Sequence, residues 1–293
     1  MDQGPLLILG SGGQVGSELL STLTPLGKVV GLSHVDLDVL EISRLKEVLR
    51  DVRPRWIINA VGYTDVDRAE VEKDLARKVN LEFPAILAKE ARQLGSWLVH
   101  FSTDYVFDGK KSEPYREIDI ANPLNYYGVT KLEAEIAIRE THPLHFIFRL
   151  SGVYSLKHPR NFVQKILWQS QLDRDICVVR DRIASPTWSR SIAEAVSAVL
   201  INLTKKERPE DFAGTYHLAS HEPVSWYEFA SAILELHQRK TPSKSPRLVS
   251  IASSNLIGAA RRPLCSALSV KKLERTFPVK LLTWRGQLEF ALR

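Results

Sequence analysis

Near its start the chain runs Leu6-Leu-Ile-Leu9, then Gly10-Ser-Gly-Gly13-Gln-Val-Gly16, then continues with Val15, Leu19, Leu20 and Leu23 at helical spacing. No other stretch restricts the fold as strongly. An unbroken apolar run bounded by glycine reads as a buried parallel strand. Glycines spaced by three permit a tight turn and let the backbone approach a pyrophosphate. The free N–H groups of the first helical turn then hold its charge. A glycine trio means little alone, but here a strand precedes it and a helix follows, which is the context a dinucleotide site requires.

The same rhythm repeats. Lys28-Val-Val-Gly-Leu32 reads as a second strand, and Ile42, Leu45, Val48 and Leu49 mark a helix stopped by Pro54. Trp56-Ile-Ile-Asn59 is a third strand, and Leu75 to Leu94 a long helix that Pro84 should kink or break. Trp97 to Phe101, the helix Asn125 to Glu140, and a strand beginning at Phe146-Ile-Phe148 follow. Such alternation specifies an α/β fold, a Rossmann-type doubly wound parallel sheet with helices on both faces. After about residue 150 the rhythm changes, with short strands among helices over 162–171, 189–203 and 226–238. The expected organisation is therefore a dinucleotide-binding domain over 1–150, to which the helix 189–203 returns. A smaller α/β substrate lobe takes 151–188 and 204–293, with the ligand cleft between the two.

The tip of the second strand bears on cofactor choice. An acid there binds the adenosine ribose and selects NAD. This chain has Ser33 and His34, with Asp36 and Asp38 slightly later. A 2′-phosphate is then not repelled, so NADPH is the expected cofactor, with NADH allowed and Asp38 near the adenine.

Of the 8 tyrosines only Tyr127 has a lysine four positions on, Lys131. On a helix the two share a face. A free phenol, with a pKa of about 10, is a poor acid at neutral pH. A nearby ammonium should lower that value and let the phenol protonate a carbonyl oxygen as hydride reaches carbon. The fourth strand ends in Phe101-Ser-Thr-Asp-Tyr-Val-Phe107, at the sheet edge where doubly wound folds bind ligands. Ser102 or Thr103 there is placed to assist the phenol, which gives a Thr103–Tyr127–Lys131 set.

Composition narrows the function classes. The net charge of +6 is spread without a Lys/Arg block, so a nucleic-acid partner has little support. The 2 cysteines, Cys177 and Cys265, form no C-x-x-C pair, which suits a reducing, cytoplasmic location. The run Leu6–Leu9 is far too short to cross a bilayer, and no membrane partner is expected.

These residues together resemble the dTDP-4-dehydrorhamnose reductase family of the extended short-chain dehydrogenase/reductases, over nearly the whole chain. The resemblance rests on the glycine turn, on Asn59-Ala-Val-Gly-Tyr-Thr-Asp-Val-Asp-Arg-Ala-Glu70 and on Ser102-Thr-Asp-Tyr-Val-Phe-Asp-Gly109. It continues in Pro123-Leu-Asn-Tyr-Tyr-Gly-Val-Thr-Lys131, Phe148-Arg-Leu-Ser151, Asp181-Arg-Ile-Ala-Ser-Pro-Thr187, Gly214-Thr-Tyr-His-Leu218 and Arg262-Pro263. It implies Tyr127 as catalytic acid supported by Lys131 and Thr103. It implies Gly10, Gly13, Gln14, Val15 and Gly16 at the pyrophosphate, and Ser33, His34, Asp38 and Val39 near the adenosine. Gly62, Tyr63, Thr64, Phe101 and Lys131 would line the rest of the cofactor cleft. Thr103, Asp104, Tyr105, Gly152 and Asn161 would meet a nucleotide-linked sugar, whose C4 ketone this family reduces.

Two departures from the family pattern stand out. Gly152 replaces a frequent tryptophan, which would leave the sugar pocket without an aromatic wall. Some members form a metal-bridged dimer through glutamates; Glu18 matches one, but Arg190 puts a cation at another. No metal site is therefore expected, and the assembly is a monomer or homodimer. A competing function is a non-catalytic dinucleotide-binding subunit resembling the methionine adenosyltransferase β subunit. Loss of the Thr–Tyr–Lys set would mark it, and all three residues are present.

Overall fold

The computed structural model describes residues 4–293 except 173, 241–245, 257 and 259. Its centre is a six-stranded, wholly parallel sheet. The strands are β1 (Leu6–Leu9), β2 (Val29–Leu32), β3 (Trp56–Asn59), β4 (Trp97–Thr103), β5 (His145–Leu150) and β6 (Gly214–His217). Their spatial order is β6-β5-β4-β3-β1-β2. The chain leaves β1 for β2 on one side and returns to β3 on the other. The crevice beyond the carboxyl ends of β1 and β3 is thus the topological switch point, where such sheets bind ligands.

Among the described residues eight helices of eight or more residues surround the sheet and the later part of the chain, the last being Trp284–Ala291. The others are α1 (Gln14–Thr22), α2 (Ile42–Val52), α3 (Phe83–Leu94), α4 (Tyr126–Thr141), α5 (Phe162–Gln169), α6 (Ser189–Leu203) and α7 (Trp226–Lys240). Strand side chains alternate between faces, which explains two cores. Leu6, Ile8, Val99, Phe146 and Phe148 pack with Leu19 of α1 and Ile192, Val196 and Leu200 of α6. Leu7, Leu9, Ile57, Leu98 and Ile147 pack with Leu45 and Leu49 of α2, Leu87 of α3 and Ile138 of α4. A third core joins Tyr154, Val163, Ile166, Phe229, Ile233 and Leu288, all from the later half of the chain.

Two elements differ from the sequence expectation. Gly214–His217 falls in the stretch given to the substrate lobe, yet it pairs with β5 as the sheet's edge. It has no continuous apolar run, and its last residue meets distant parts of the chain: His217 lies against Tyr115 O and Arg149. The expected 75–94 helix is instead a short helix (Lys73–Arg77), a π-type turn (Lys78–Glu82) and α3, with Pro84 in the first turn of α3. Proline is tolerated there because that N–H has no intrahelical partner to lose.

Candidate active site

The glycine turn follows β1 directly. A Cβ on Gly16 would lie 2.1 Å from Gly10 O, so only glycine lets α1 start this close to the strand. Gly12 and Gly13 are exposed. Gly13 caps α1 without a side-chain bond, and the first turn carries no acid. These uncapped N–H groups at a helix start suit a phosphate. At the tip of β2, Asp36 Oδ2 accepts from Ser33 N (2.8 Å) and Ser33 Oγ (2.7 Å). Those bonds hold the Asp36 carboxyl below its ordinary value. The tip is therefore less free of acid than the sequence order implies, although the carboxylate is engaged within its own turn. His34 is exposed, Asp38 accepts from Leu40 N, and Val39 packs against the α2-side core.

On the other side of the switch point, Gly62 and Thr64 are exposed and Tyr63 is half-buried. The π-type turn gives Asn80 its place here. Its Oδ1 accepts from Tyr63 N (2.8 Å), and its Nδ2 donates to Tyr63 O (3.0 Å) and Thr130 Oγ1 (3.3 Å). Such turns often mark functional sites. Sequence reasoning missed Asn80, because a π-turn has no periodic signature.

Tyr127 and Lys131 lie one turn apart on α4, whose start is fixed twice. Asn125 Oδ1 accepts from Gly128 N, and Glu70 Oε1 accepts from Tyr126 N. The phenol of Tyr127 is oriented by a hydrogen bond with Thr103. The expected acidification is absent. Burial first, then the charges of Asp104 and Tyr105, hold the phenol above its ordinary value, and only Thr103 opposes them. The reason is where the lysine points. Lys131 Nζ donates to Phe101 O (2.6 Å) and sits 3.2 Å from His100 Nε2. Burial brings its own pKa down to about 8.

Three other expected contacts are redirected. Ser102 faces away from the cleft and donates to Glu135 Oε1 (2.6 Å). Asp104 is 4% exposed and enclosed by hydroxyls rather than turned to a sugar. Thr103 donates to its Oδ1, and Ser151 (2.8 Å) and Ser266 (2.5 Å) donate to its Oδ2. Burial dominates these bonds and raises its pKa to about 6. Asn161 is spent as the cap of α5, accepting from Gln164 N and donating to Ser155 O and His158 O. Glu18 is buried and paired with Lys157 (2.9 Å) and Arg190 (3.5 Å).

The Asp104 cluster makes stability depend on pH. A raised native pKa means the folded protein holds a proton that the unfolded chain has lost between about pH 4 and 6. The penalty for burying the charge is thus present above pH 6 and disappears on acidification, on the order of 3 kcal/mol for a shift of this size. Wild type is expected to gain stability relative to Asp104→Asn between pH 7 and 4.5 in urea titrations. A difference between the two proteins that stays constant with pH would refute this.

Gly152 leaves no gap. It has φ +54°, and a Cβ there would lie 3.0 Å from Pro186 Cα and 3.2 Å from the indole edge of Trp226. The ring beside Gly152 thus comes from α7, a distant part of the chain. Gly152→Ala should cost about 2 kcal/mol, since an L-residue is strained in the left-handed region. Thermal unfolding of the variant checks this, and an unchanged Tm would contradict it.

Trp226 lines a cavity of about 500 Å³ together with Tyr105, Phe162, Arg182 and Arg262. Arg262 is held by Asp67 through bonds of 2.6 and 3.0 Å. Tyr105 packs edge-on against Tyr127, with centroids 6.2 Å apart, which joins this cavity to the Tyr127 site. Trp226, Phe162 and Arg182 were not legible as site residues, because they reach it only through the fold of the later half.

The family model described as "RmlD substrate binding domain" matches residues 4–293. A dTDP-4-dehydrorhamnose reductase of Burkholderia thailandensis is 36% identical, with 98% of each chain covered. The Escherichia coli protein of that name is 34% identical, covering 96% of this chain and 94% of its own. Among solved structures, a dTDP-4-dehydrorhamnose reductase from Bacillus anthracis in complex with NADP has TM-score 0.88 and 31% identity, covering 98% of both chains. A Thermus thermophilus UDP-glucose 4-epimerase, at 18% identity and TM-score 0.80 over 98% of this chain and 97% of its own, shares the fold.

Proposed function

The chain belongs to the RmlD substrate-binding-domain family, and from that premise we propose that it is an NADPH-dependent reductase of a nucleotide-linked 4-keto-6-deoxy sugar. The sugar we assign is dTDP-4-dehydro-6-deoxy-L-mannose, reduced at C4 to dTDP-L-rhamnose. One observation supports the reading: the Tyr127 phenol meets Thr103 at the carboxyl end of β4, with Lys131 one helical turn on, in the same parallel sheet whose β1 runs into the glycine turn. The NADP complex of the Bacillus anthracis relative supports the choice of cofactor.

The residues fit the cofactor. Gly12, Gly13 and the free N–H groups of α1 would hold the pyrophosphate, and Ser33 with Asp38 the adenosine end. Gly62, Tyr63 and Thr64, braced by Asn80, would flank the nicotinamide half. Bound there, the cofactor supplies a hydride. Tyr127 would deliver the accompanying proton to the ketone oxygen, so that a hydride at carbon and one proton at oxygen turn the carbonyl into a secondary hydroxyl. Thr103 fixes the direction of the phenol, and Asp104 fixes Thr103. Arg182 and Arg262 suit the diphosphate of the sugar nucleotide, and the Trp226 and Phe162 rings its flat or apolar parts. Among the described residues no helix is long and apolar enough to cross a membrane.

The test is a panel of nucleotide-linked 4-keto-6-deoxy sugars given to the purified chain with NADPH and with NADH. Loss of reduced nicotinamide is expected with the dTDP sugar. Binding of NADPH without its consumption by any member of the panel would overturn the reading in favour of a non-catalytic subunit.

A further inference from the structure

Asn59, His100 and Lys131 form a buried polar chain from the middle of the sheet to α4, with relative exposures of 1%, 0% and 3%. Asn59 and His100 are register partners on β3 and β4. The orientation of the asparagine is fixed from one end: its Oδ1 accepts from Val61 N at 3.0 Å. The other end, Nδ2, therefore faces His100 Nδ1, also at 3.0 Å. A carboxamide NH₂ only donates, so His100 Nδ1 must be an unprotonated acceptor. A neutral imidazole then carries its proton on Nε2. Complete burial holds the His100 pKa well below its ordinary range, so the ring is neutral.

That Nε2–H points at Lys131 Nζ, 3.2 Å away. An ammonium has three donors and no lone pair, and cannot accept this hydrogen. A neutral amine can, while still donating to Phe101 O. We infer that His100, locked by Asn59 as the Nε2–H tautomer, is a positioning residue that favours the neutral amine of Lys131 over the ammonium.

Other groups facing Lys131 act differently. Glu135, one turn on along α4, favours the ammonium, but its carboxylate is shared with Arg149 of β5, Arg139 and Ser102. From β4 come His100 and the Phe101 carbonyl. The donor of His100 thus acts with burial, and Lys131 changes charge within the pH range of turnover. For its effect on turnover the inference rests on the proposed role of Tyr127 and Lys131; the tautomer itself does not.

Two measurements test it. The first is long-range ¹H–¹⁵N NMR on the whole enzyme labelled at histidine, with His100 assigned by the signal lost in His100→Gln, or moved in Asn59→Asp if that variant does not fold. A protonated Nε2 and an unprotonated Nδ1, unchanged from pH 5.5 to 9, are expected. A protonated Nδ1 or an imidazolium overturns the inference. The second is the pH dependence of kcat. Asn59→Asp turns the donor facing Nδ1 into an acceptor, which reverses the tautomer and presents a lone pair to Lys131. His100→Gln can likewise offer an oxygen. In either variant the limb set by Lys131 should move upward by about one pH unit. An unmoved limb, with turnover still abolished in Tyr127→Phe, would refute the role of His100 alone. A fully active Tyr127→Phe would instead refute the catalytic reading and leave the NMR result to decide the tautomer.

Discussion

Tyr127→Phe is expected to lower kcat by about a thousandfold, within the usual contribution of a positioned proton donor, while NADPH binding changes little. The argument is local. The substitution removes one oxygen from a half-buried ring whose hydroxyl meets Thr103. The ring packing against Tyr105 is kept. The glycine turn and the Asn80-braced loop, where the cofactor would sit, lie on other elements. Single-turnover kinetics with a fluorescence titration of NADPH separates the two effects. Wild-type turnover in the variant would remove the phenol from the mechanism. The high resting pKa of this phenol does not weaken its role. It keeps the proton on oxygen until negative charge develops on the substrate.

The largest expected loss of stability is at Glu135→Ala. Glu135 is completely buried and receives Arg149 through bonds of 2.9 and 2.7 Å, Ser102 at 2.6 Å and Arg139 at 3.0 Å. Replacing it leaves the buried Arg149 charge without its carboxylate, which costs about 3–5 kcal/mol. Urea unfolding is the measurement, and a loss below about 1 kcal/mol would show that water or His217 compensates. Because Ser102 precedes Thr103, activity should fall as well, through a loosened end of β4.

What the sequence made legible follows from chemistry that is local in the chain. Leu6–Leu9 and Trp56–Asn59 were readable because parallel strands buried on both faces leave unbroken apolar runs. The glycine turn and the Tyr127–Lys131 spacing were readable because each is a short-range pattern. Spacing puts two side chains on one helix face but does not say where a flexible amine points. For Lys131 that is decided by His100 and the Phe101 carbonyl, about thirty residues away. Likewise nothing near Gly152 announces that Trp226 fills the space above it. β6 escaped because it carries no apolar run, and its buried His217 finds partners only across the fold.

The return of α6 and β6 to the first sheet bears on how the chain can be divided. A fragment ending near residue 150 would hold the glycine turn and Tyr127, yet expose the whole outer edge of β5 and the apolar face that Ile192, Val196 and Leu200 cover. An open, apolar strand edge invites pairing between molecules. Such a fragment would aggregate rather than bind a dinucleotide. Evolution by exchange of the later half must therefore carry these two elements with the first, and a ribosome must deliver residue 217 before the nucleotide fold can close.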